Sequence, residues 1–429
     1  MRPDGRPRQL REPPSTARPD STLPDSSRPD SIRPDSSRPD SSRRAAGQPR
    51  RRDIDAMRVI VFSCVIAAHV VTYVGDFERR SVAAWGMAMH FTRYAFVFIS
   101  ALVLMYGYRD RELAPARFWR RRFGAVVLPY VAWSCIYYAV ELAVDGRPGW
   151  WPGITRLTTQ LLTGGVWYHL YFLLISIQLY AVFPLLHRLV RGASIRRSVA
   201  ILVGGAVLQL GSMAAVSLLP APHSIAGYPW RHPDTQLPIY AFFIAAGMLT
   251  ALHRDRVDRW IRARPVLISV LFGVGVVVTM GVFLIRSSAG SAMLASLPAF
   301  PTILPWAAGA TLVVYALCIT WDRRAPAGGR TARLAAAGAH RAFGVFALHP
   351  LVLWALDRWL LPALNAAGVG TPTEMVILFV GTVLGTVLLV ELLLRTPLSK
   401  VLTARPRMSL RRSRQDRNDV DRAARVRSC

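Results

Sequence analysis

The chain has 429 residues, of which 52% are hydrophobic and only 18% are charged, and its formal net charge is +28. Soluble globular domains carry about a quarter charged residues. Here the charges lie in tails and in short clusters between long apolar runs. This distribution excludes an intrinsically disordered protein, a disulfide-stapled scaffold and an ordinary soluble enzyme, and it indicates a polytopic membrane protein.

The first 52 residues form a separate region. From Arg18 to Ser42 the pentapeptide Arg-Pro-Asp-Ser-x occurs five times, with Leu23 in place of one arginine. Such a segment has almost nothing to bury, so we expect a disordered tail over residues 1–52. We assign the membrane domain to residues 53–395 and a basic cytoplasmic tail to residues 396–429.

The apolar runs of the membrane domain predict its fold. Ten of them approach the length of about 20 residues that a spanning helix needs. Their bounds are approximately 57–75, 86–108, 122–144, 166–187, 197–219, 236–252, 265–285, 300–321, 342–363 and 374–395. The runs are continuous rather than alternating, which favours helices over a closed barrel. We predict an all-α membrane protein built as a bundle of about ten transmembrane helices.

The arginines predict how the bundle is oriented. With the N-terminus in the cytoplasm, the four inner loops carry twenty arginines and the five outer loops carry six. This positive-inside bias places both termini in the cytoplasm. It also explains the basic charge better than nucleic-acid binding does, so membrane lipids with anionic head groups are the expected partners. The cysteines show no metal-ligand spacing, and we expect no metal site.

Arg58 and His69 are the first candidates for chemistry, because ionisable groups inside membrane spans usually have a functional partner. They are eleven residues apart on the first helix, which puts both side chains on one face and about 16 Å apart along the axis. A cation at the membrane surface with a histidine half a bilayer deeper suits an elongated anionic substrate. A snorkelling arginine and a hydrogen-bonded structural histidine are the alternative.

The Arg-x10-His spacing resembles the motif of the membrane acyltransferase 3 family, bacterial O-acyltransferases that modify glycans, lipids and antibiotics. Four other segments are similar to segments of the family and occur in the same order. The resemblance as a whole extends over about residues 53–395. They are YAFVFISALVLMYGY (94–108), RFWRRRFGAVVLPY (117–130), HLYFLLISIQLYAVFP (169–184) and FGVFALHP (343–350). Two positions depart from the family's pattern: Val126 replaces a frequent second arginine, and Tyr171 replaces the usual tryptophan.

The resemblance implies a multipass O-acyltransferase of the bacterial plasma membrane. Its acyl donor would be acyl-CoA, with acetyl-CoA as the expected form, acting as a co-substrate with no bound cofactor. The acceptor would be a hydroxyl of a cell-surface glycan, a lipid-linked saccharide or a glycosylated metabolite. A second copy of the chain, or a separate protein on the acceptor side, is a further expected partner.

The resemblance also implies roles for individual residues. His69 is expected to be the catalytic base and Arg58 to act with it. Arg120, Arg121 and Arg122 are expected to bind the CoA phosphates, although a topological signal also explains them. Ser100 and His169 are weaker candidates for substrate binding. His90 and Arg93 are interpreted as interfacial, and His349 as a structural histidine beside Pro350.

Two alternatives to an acyltransferase stay open at this stage. A secondary transporter or a flippase for lipid-linked saccharides would share the ten spans and the basic loops. Such folds often show repeated halves, and helices 6–10 contain no counterpart of Arg58 and His69. A family member without activity, serving as a sensor or scaffold, is the second alternative.

Overall fold

The structure is a computed structural model that describes residues 51–146, 149–326 and 328–408. No β-strand occurs in these ranges. The α-helices are α1 (Arg52–Val74), α2 (Arg80–Met89), α3 (Phe91–Tyr108), α4 (Pro115–Asp145), α5 (Trp150–Thr163), α6 (Tyr171–Val190), α7 (Ile195–Leu218), α8 (Tyr228–Arg231), α9 (Ala241–Leu252), α10 (Arg254–Ala263), α11 (Pro265–Ala289), α12 (Ala292–Ala295), α13 (Leu304–Arg324), α14 (Arg330–Trp359), α15 (Leu361–Ala366), α16 (Thr371–Leu393) and α17 (Ser399–Thr403). The prediction of a disordered tail falls almost wholly on residues 1–50, which lie outside the described ranges.

Within the described ranges, nine helical segments are long and apolar enough to cross a membrane. A tenth is obtained if Leu237–Leu252 and Arg254–Ala263, which meet at an angle of 101°, count as one broken span. The all-α membrane bundle of about ten helices is therefore confirmed. The sixth predicted span, 236–252, is the broken one, and the chain turns sharply into α10 where it ends.

The helix bounds differ from the apolar runs at several places. The helix α4 starts at Pro115 rather than near residue 122, so Arg120, Arg121 and Arg122 lie on a helix and not in a loop. Proline suits the first turn of a helix, and arginine is a good helix former. Hydropathy alone could not place this start, because the first two turns are rich in arginine.

The helix α5 is absent from the predicted spans. It has 14 residues, too few to cross the bilayer, and none of them is buried. Trp150 and Trp151 begin this helix with 80% and 70% of their surface exposed. Both tryptophans thus start an amphipathic helix of the kind that lies at a membrane surface.

The helix α1 lies at the centre of the bundle and packs against α3, α13, α14 and α16. Two tight crossings shape the surrounding helices. A Cβ on Gly247 of α9 would lie 2.4 Å from the Phe98 carbonyl of α3, and one on Gly275 of α11 would lie 2.6 Å from the Pro305 carbonyl. Small residues permit such close backbone approach between membrane helices. These crossings bring α9 against α3 and α11 against α13, and both α3 and α13 pack on α1.

Ion pairs fix the first turn of α1. Asp53 pairs with Arg254 at the start of α10, and both side chains are buried, with 1% and 3% exposed. Arg52 Nε lies 2.7 Å from Asp322 Oδ1 at the end of α13. Aspartate in a first helical turn also interacts favourably with the helix dipole. The register of α1, and with it the depth of His69, is tied to two neighbouring helices.

The division of the chain at residues 53 and 395 stays a prediction. Beyond residue 395, the short helix α17 packs against α4 and α14. The Trp133 Nε1 group of α4 donates to the Leu402 carbonyl at 2.9 Å. Contacts with the bundle therefore extend past the expected start of the C-terminal tail.

Candidate active site

His69 lies among aromatic side chains in the last third of α1. Its ring centroid is 4.6 Å from that of Tyr168 and 5.4 Å from that of His349, and the two imidazoles are nearly parallel, at 24°. Tyr168 is 39% exposed. His69 itself is half-buried beneath this ring.

His349 has a defined tautomer. Pro350 has no N–H, so it leaves the carbonyl of Phe346, four residues earlier, without its helical partner. His349 Nδ1 lies 2.9 Å from the carbonyl oxygens of both Val345 and Phe346. Carbonyls only accept, so Nδ1 carries the hydrogen and Nε2 holds a lone pair. This Nε2 atom is buried and has no hydrogen-bond partner in the described part of the chain.

His169 is the third histidine of the cluster. It is 1% exposed, and neither ring nitrogen has a hydrogen-bond partner within the described ranges. Its ring centroid lies 5.8 Å from that of His349 and 5.2 Å from those of Tyr137 and Phe346. Buried polar groups are normally satisfied. Unpaired nitrogens on two neighbouring histidines therefore mark a place for a polar ligand.

The connection from α5 to α6 brings His169 into the bundle. It begins at Gly164, whose φ of +72° is left-handed. A Cβ at this glycine would lie 2.8 Å from Tyr171 Cα. Both the backbone conformation and the close approach favour glycine, which lets the chain fold back and present Trp167, Tyr168 and His169 to α1 and α14.

Tyr137 of α4 closes the cluster on one side. Its hydroxyl donates to the Ala347 carbonyl at 2.7 Å, and its ring centroid is 4.9 Å from that of Trp167. The Trp167 Nε1 hydrogen is buried without a partner in the described structure. The cluster thus combines one unpaired N–H donor with imidazole nitrogens that can donate or accept.

A second polar group lies toward the other end of α1, around Tyr180 of α6. Tyr180 interacts electrostatically with both Arg122 and Arg58. The guanidinium carbon of Arg122 is 5.9 Å from the Tyr180 ring centroid and 6.0 Å from that of Tyr108. Arg58 is 29% exposed and lies 3.8 Å from Asp55. The structure therefore brings Arg58 and Arg122 to one place.

The three consecutive arginines of α4 point in different directions. Arg120 and Arg121 are exposed, whereas Arg122 is only half-buried and its Nε atom is enclosed without a partner in the described structure. Successive helical residues are 100° apart, so only one of the three shares the inward face with Val126, four residues later. Val126 is 8% exposed. Arg122 thus supplies a cation one turn from the position where the family resemblance suggests an arginine.

Aromatic rings connect the two polar groups. Phe62 comes between Arg58 and His69 on α1, and its ring centroid is 5.5 Å from that of Phe96 and 6.2 Å from that of Phe346. Phe346 in turn contacts His169. Ser100 follows Phe96 by one turn on the same face of α3 and is half-buried. Ser100 therefore lies along the apolar stretch between the arginines and the histidines.

Arg93 is more closely connected to His69 than the sequence indicated. It forms an ion pair of 2.5 Å with Asp234, and its guanidinium carbon lies 5.9 Å from the Tyr171 ring centroid. Arg93 also interacts electrostatically with His69. The side chain of Arg93 is 13% exposed and is paired with a residue distant in the chain, and its expected interfacial role stays a prediction.

Within the described residues, no three His, Cys, Asp or Glu side chains are arranged to hold a metal ion. The site offers imidazole nitrogens for proton transfer, an indole donor, and Arg58 about three helical turns away along α1, with Arg122 of α4 near it.

A helical bundle that crosses the membrane about ten times and encloses a histidine cluster defines an integral membrane protein with an internal polar site. The acyltransferase domain of the acyltransferase 3 family matches this chain over residues 51–391. The chain belongs to that family and is a multipass membrane acyltransferase. No curated protein and no solved structure matches it significantly.

Proposed function

We propose that the protein transfers an acetyl or other small acyl group from acyl-CoA to a hydroxyl group of a cell-surface glycan, a lipid-linked saccharide or a glycosylated metabolite. The observation that carries this proposal is the position of His69. It lies against His349 and Tyr168, beside unpaired nitrogens of His169 and His349 and on the same helix as Arg58. General-base chemistry and anion binding are thereby combined on one helix.

In the proposed reaction, the His69 imidazole takes the proton of the acceptor hydroxyl as its oxygen attacks the thioester carbonyl. The new C–O bond forms, the C–S bond breaks, and the CoA sulfur leaves as a thiolate that receives the proton. A histidine near neutral pH is suited to both transfers. His169 and Trp167 are placed to hold the acceptor or the carbonyl oxygen, because their nitrogens have no partner among the described residues.

The acyl donor is proposed to enter at the end of α1 that carries Arg58. Arginine binds phosphate oxygens through charge-assisted hydrogen bonds. Arg58 and Arg122 would hold the CoA phosphates, with Arg120 and Arg121 at the entrance. The acyl-carrying arm would then pass Ser100 and the rings of Phe62 and Phe96 toward His69.

The location of the protein is part of the proposal. The distribution of arginines supports a bacterial plasma membrane protein with both termini in the cytoplasm. Arg58 then faces the cytoplasmic pool of acyl-CoA, and Tyr168 lies on the acceptor side of His69.

Labelling of inverted membrane vesicles with isotope-labelled acetyl-CoA tests the function. Wild type is compared with His69→Ala and with His223→Ala, which alters an exposed histidine in the connection between α7 and α8. We expect label in a lipid or glycan fraction to fall by about 10²–10⁴-fold in His69→Ala, the usual contribution of a general base. His223→Ala should label like wild type.

Two outcomes would contradict the proposal. Equal labelling by wild type and His69→Ala at matched expression would remove His69 from the chemistry. No labelling by wild type, with acceptor present and longer acyl-CoAs also inert, would favour the transporter or flippase alternative.

A further inference from the structure

A basic groove opens far from the histidine cluster, at the end of the bundle where α10, α11 and α13 meet. It has a volume of about 670 Å³, and none of its lining residues belongs to α1, α6 or α14. Three arginines line it, Arg262 from α10 and Arg323 and Arg324 from α13, together with the hydroxyls of Ser269 and Thr320. The groove is therefore separate from the proposed acyl-transfer site.

The charge of this groove is not balanced by its neighbours. Arg262, Arg323 and Arg324 are all exposed. The nearest acidic residues along the chain are already paired: Asp258 accepts from Tyr315 at 2.8 Å, and Asp322 binds Arg52 at 2.7 Å. Three positive charges thus converge on one opening without an acidic partner in the described part of the chain, an arrangement that favours a phosphate group.

The surface below the arginines is apolar. Along α11, Val266, Val270 and Leu271 are exposed by 75%, 54% and 44%, and Leu317 of α13 is exposed by 61%. In a membrane protein, such side chains face lipid hydrocarbon. A ligand in the groove therefore has its charged end among the arginines and its remaining length beside acyl chains.

A second, apolar cavity lies beside the basic groove. It has a volume of about 400 Å³, lies between α3, α9, α10, α11 and α13, and shares Ile261 with the basic groove. Leu312, which lines it, is eleven residues before Arg323 on α13, or about 16 Å deeper along the axis. One leaflet of hydrocarbon is roughly 15 Å thick. The distance matches the acyl chain of a lipid whose head group lies at Arg323.

We propose that this groove is a binding site for one anionic phospholipid, with its phosphate held by Arg262, Arg323 and Arg324 and one acyl chain lying along the exposed apolar side chains of α11 and α13. The shared recognition chemistry is phosphate with arginine. A lipid fits better than CoA or free phosphate because the groove opens onto the membrane-facing sides of α11 and α13. The site does not depend on the proposed acyl transfer.

Native mass spectrometry of the purified full chain in detergent tests the site. The probes are phosphatidylglycerol, phosphatidylcholine, inorganic phosphate and acetyl-CoA. The triple variant Arg262→Gln/Arg323→Gln/Arg324→Gln removes the proposed charges. The matched control Arg188→Gln/Arg196→Gln/Arg197→Gln removes three exposed arginines beside the α6–α7 connection. Ala316→Phe fills the groove without changing its charge.

We expect wild type to retain phosphatidylglycerol in preference to phosphatidylcholine. The first triple variant should bind it about 100-fold more weakly, because each arginine near an anionic head group contributes roughly fivefold. The control triple should bind like wild type. Ala316→Phe should weaken phosphatidylglycerol binding by about tenfold, the effect of losing roughly two buried methylene groups.

Three results would overturn the proposal. One is equal phosphatidylglycerol binding by wild type and the first triple variant. Another is equal retention of the two phospholipids by wild type. The third is displacement of phosphatidylglycerol by inorganic phosphate or acetyl-CoA together with no effect of Ala316→Phe, which would define a general phosphate site. If the triple variant does not fold, Arg323→Gln and Ala316→Phe alone decide the question.

Discussion

The two ring nitrogens of His349 have different surroundings. A paired substitution can separate what each nitrogen contributes. Nδ1 donates to the carbonyl that Pro350 leaves free, while Nε2 is buried beside the cluster without a partner in the described structure. The first contact is structural, because an unsatisfied buried carbonyl costs about 1–3 kcal/mol. The second places a lone pair next to the proposed base, His69.

We predict that His349→Ala lowers both thermal stability and acyl transfer. Adding Pro350→Ala returns an N–H to the helix and gives the Phe346 carbonyl a partner again. The double variant should regain most of the lost stability but not the labelling activity. Thermal melts and the vesicle assay measure the two effects. Recovery of activity together with stability would mean that His349 is only structural.

Arg120 and Arg122 offer a matched pair, since they are two residues apart on α4 but face different ways. Arg122→Gln should raise the KM for acyl-CoA about ten- to hundredfold, because a hydrogen bond to a charged group contributes about 1.5–3 kcal/mol. Arg120→Gln, which alters an exposed side chain, should raise it by less than about threefold, as surface charges contribute little. Equal effects of the two variants would contradict the assignment of Arg122 to the CoA phosphates.

At the scale of elements, Gly164 determines how α5 leads into α6. Gly192 has a similar left-handed φ of +68° but nothing within 4 Å of its missing Cβ, whereas a Cβ at Gly164 would meet the Tyr171 backbone. Both alanine variants carry the left-handed strain of about 1–2 kcal/mol. Only Gly164→Ala should also displace His169 and lower the labelling activity. Equal activity in the two variants would show that this connection does not position the site.

The helices that span the membrane were predictable from sequence because hydrocarbon imposes a long apolar run on each of them. Helix α5 and the turn into α10 were not, since an amphipathic helix at a membrane surface carries no such run. The start of α4 was predicted about seven residues too late, because a hydropathy pattern does not distinguish an arginine-rich helical turn from a loop. These elements lie at the ends of the bundle. The sequence therefore predicted the interior of the bundle better than its ends.

The candidate site was predictable only along single helices. Helical periodicity places Arg58 and His69 on one face of α1, and their roles remain predictions. The approach of His349 and Arg93 to His69 depends on how α14 and α3 pack against α1, which no spacing within one helix encodes. Paired motifs such as His349-Pro350 were visible in the sequence. The unpaired Nε2 atom of His349 became visible only in the structure.

At the scale of the whole molecule, the proposed function depends on which side of the membrane each end of α1 faces. The arginine count predicts that the α6–α7 connection is cytoplasmic and the α7–α8 connection is external. Cysteine labelling checks this prediction. In a background with Cys64, Cys135, Cys318 and Cys429 replaced by serine, single cysteines are introduced at two exposed positions, His223→Cys and Arg196→Cys.

A membrane-impermeant maleimide should label His223→Cys in intact cells and Arg196→Cys only in inverted vesicles. This pattern would put Arg58 and Arg122 on the side where acyl-CoA is made, and Tyr168 on the side of the acceptor. The reverse pattern would place the arginines outside, where the cell supplies no acyl-CoA. The assignment of Arg58 and Arg122 to CoA phosphates would then fail, even if His69 proved essential for acyl transfer.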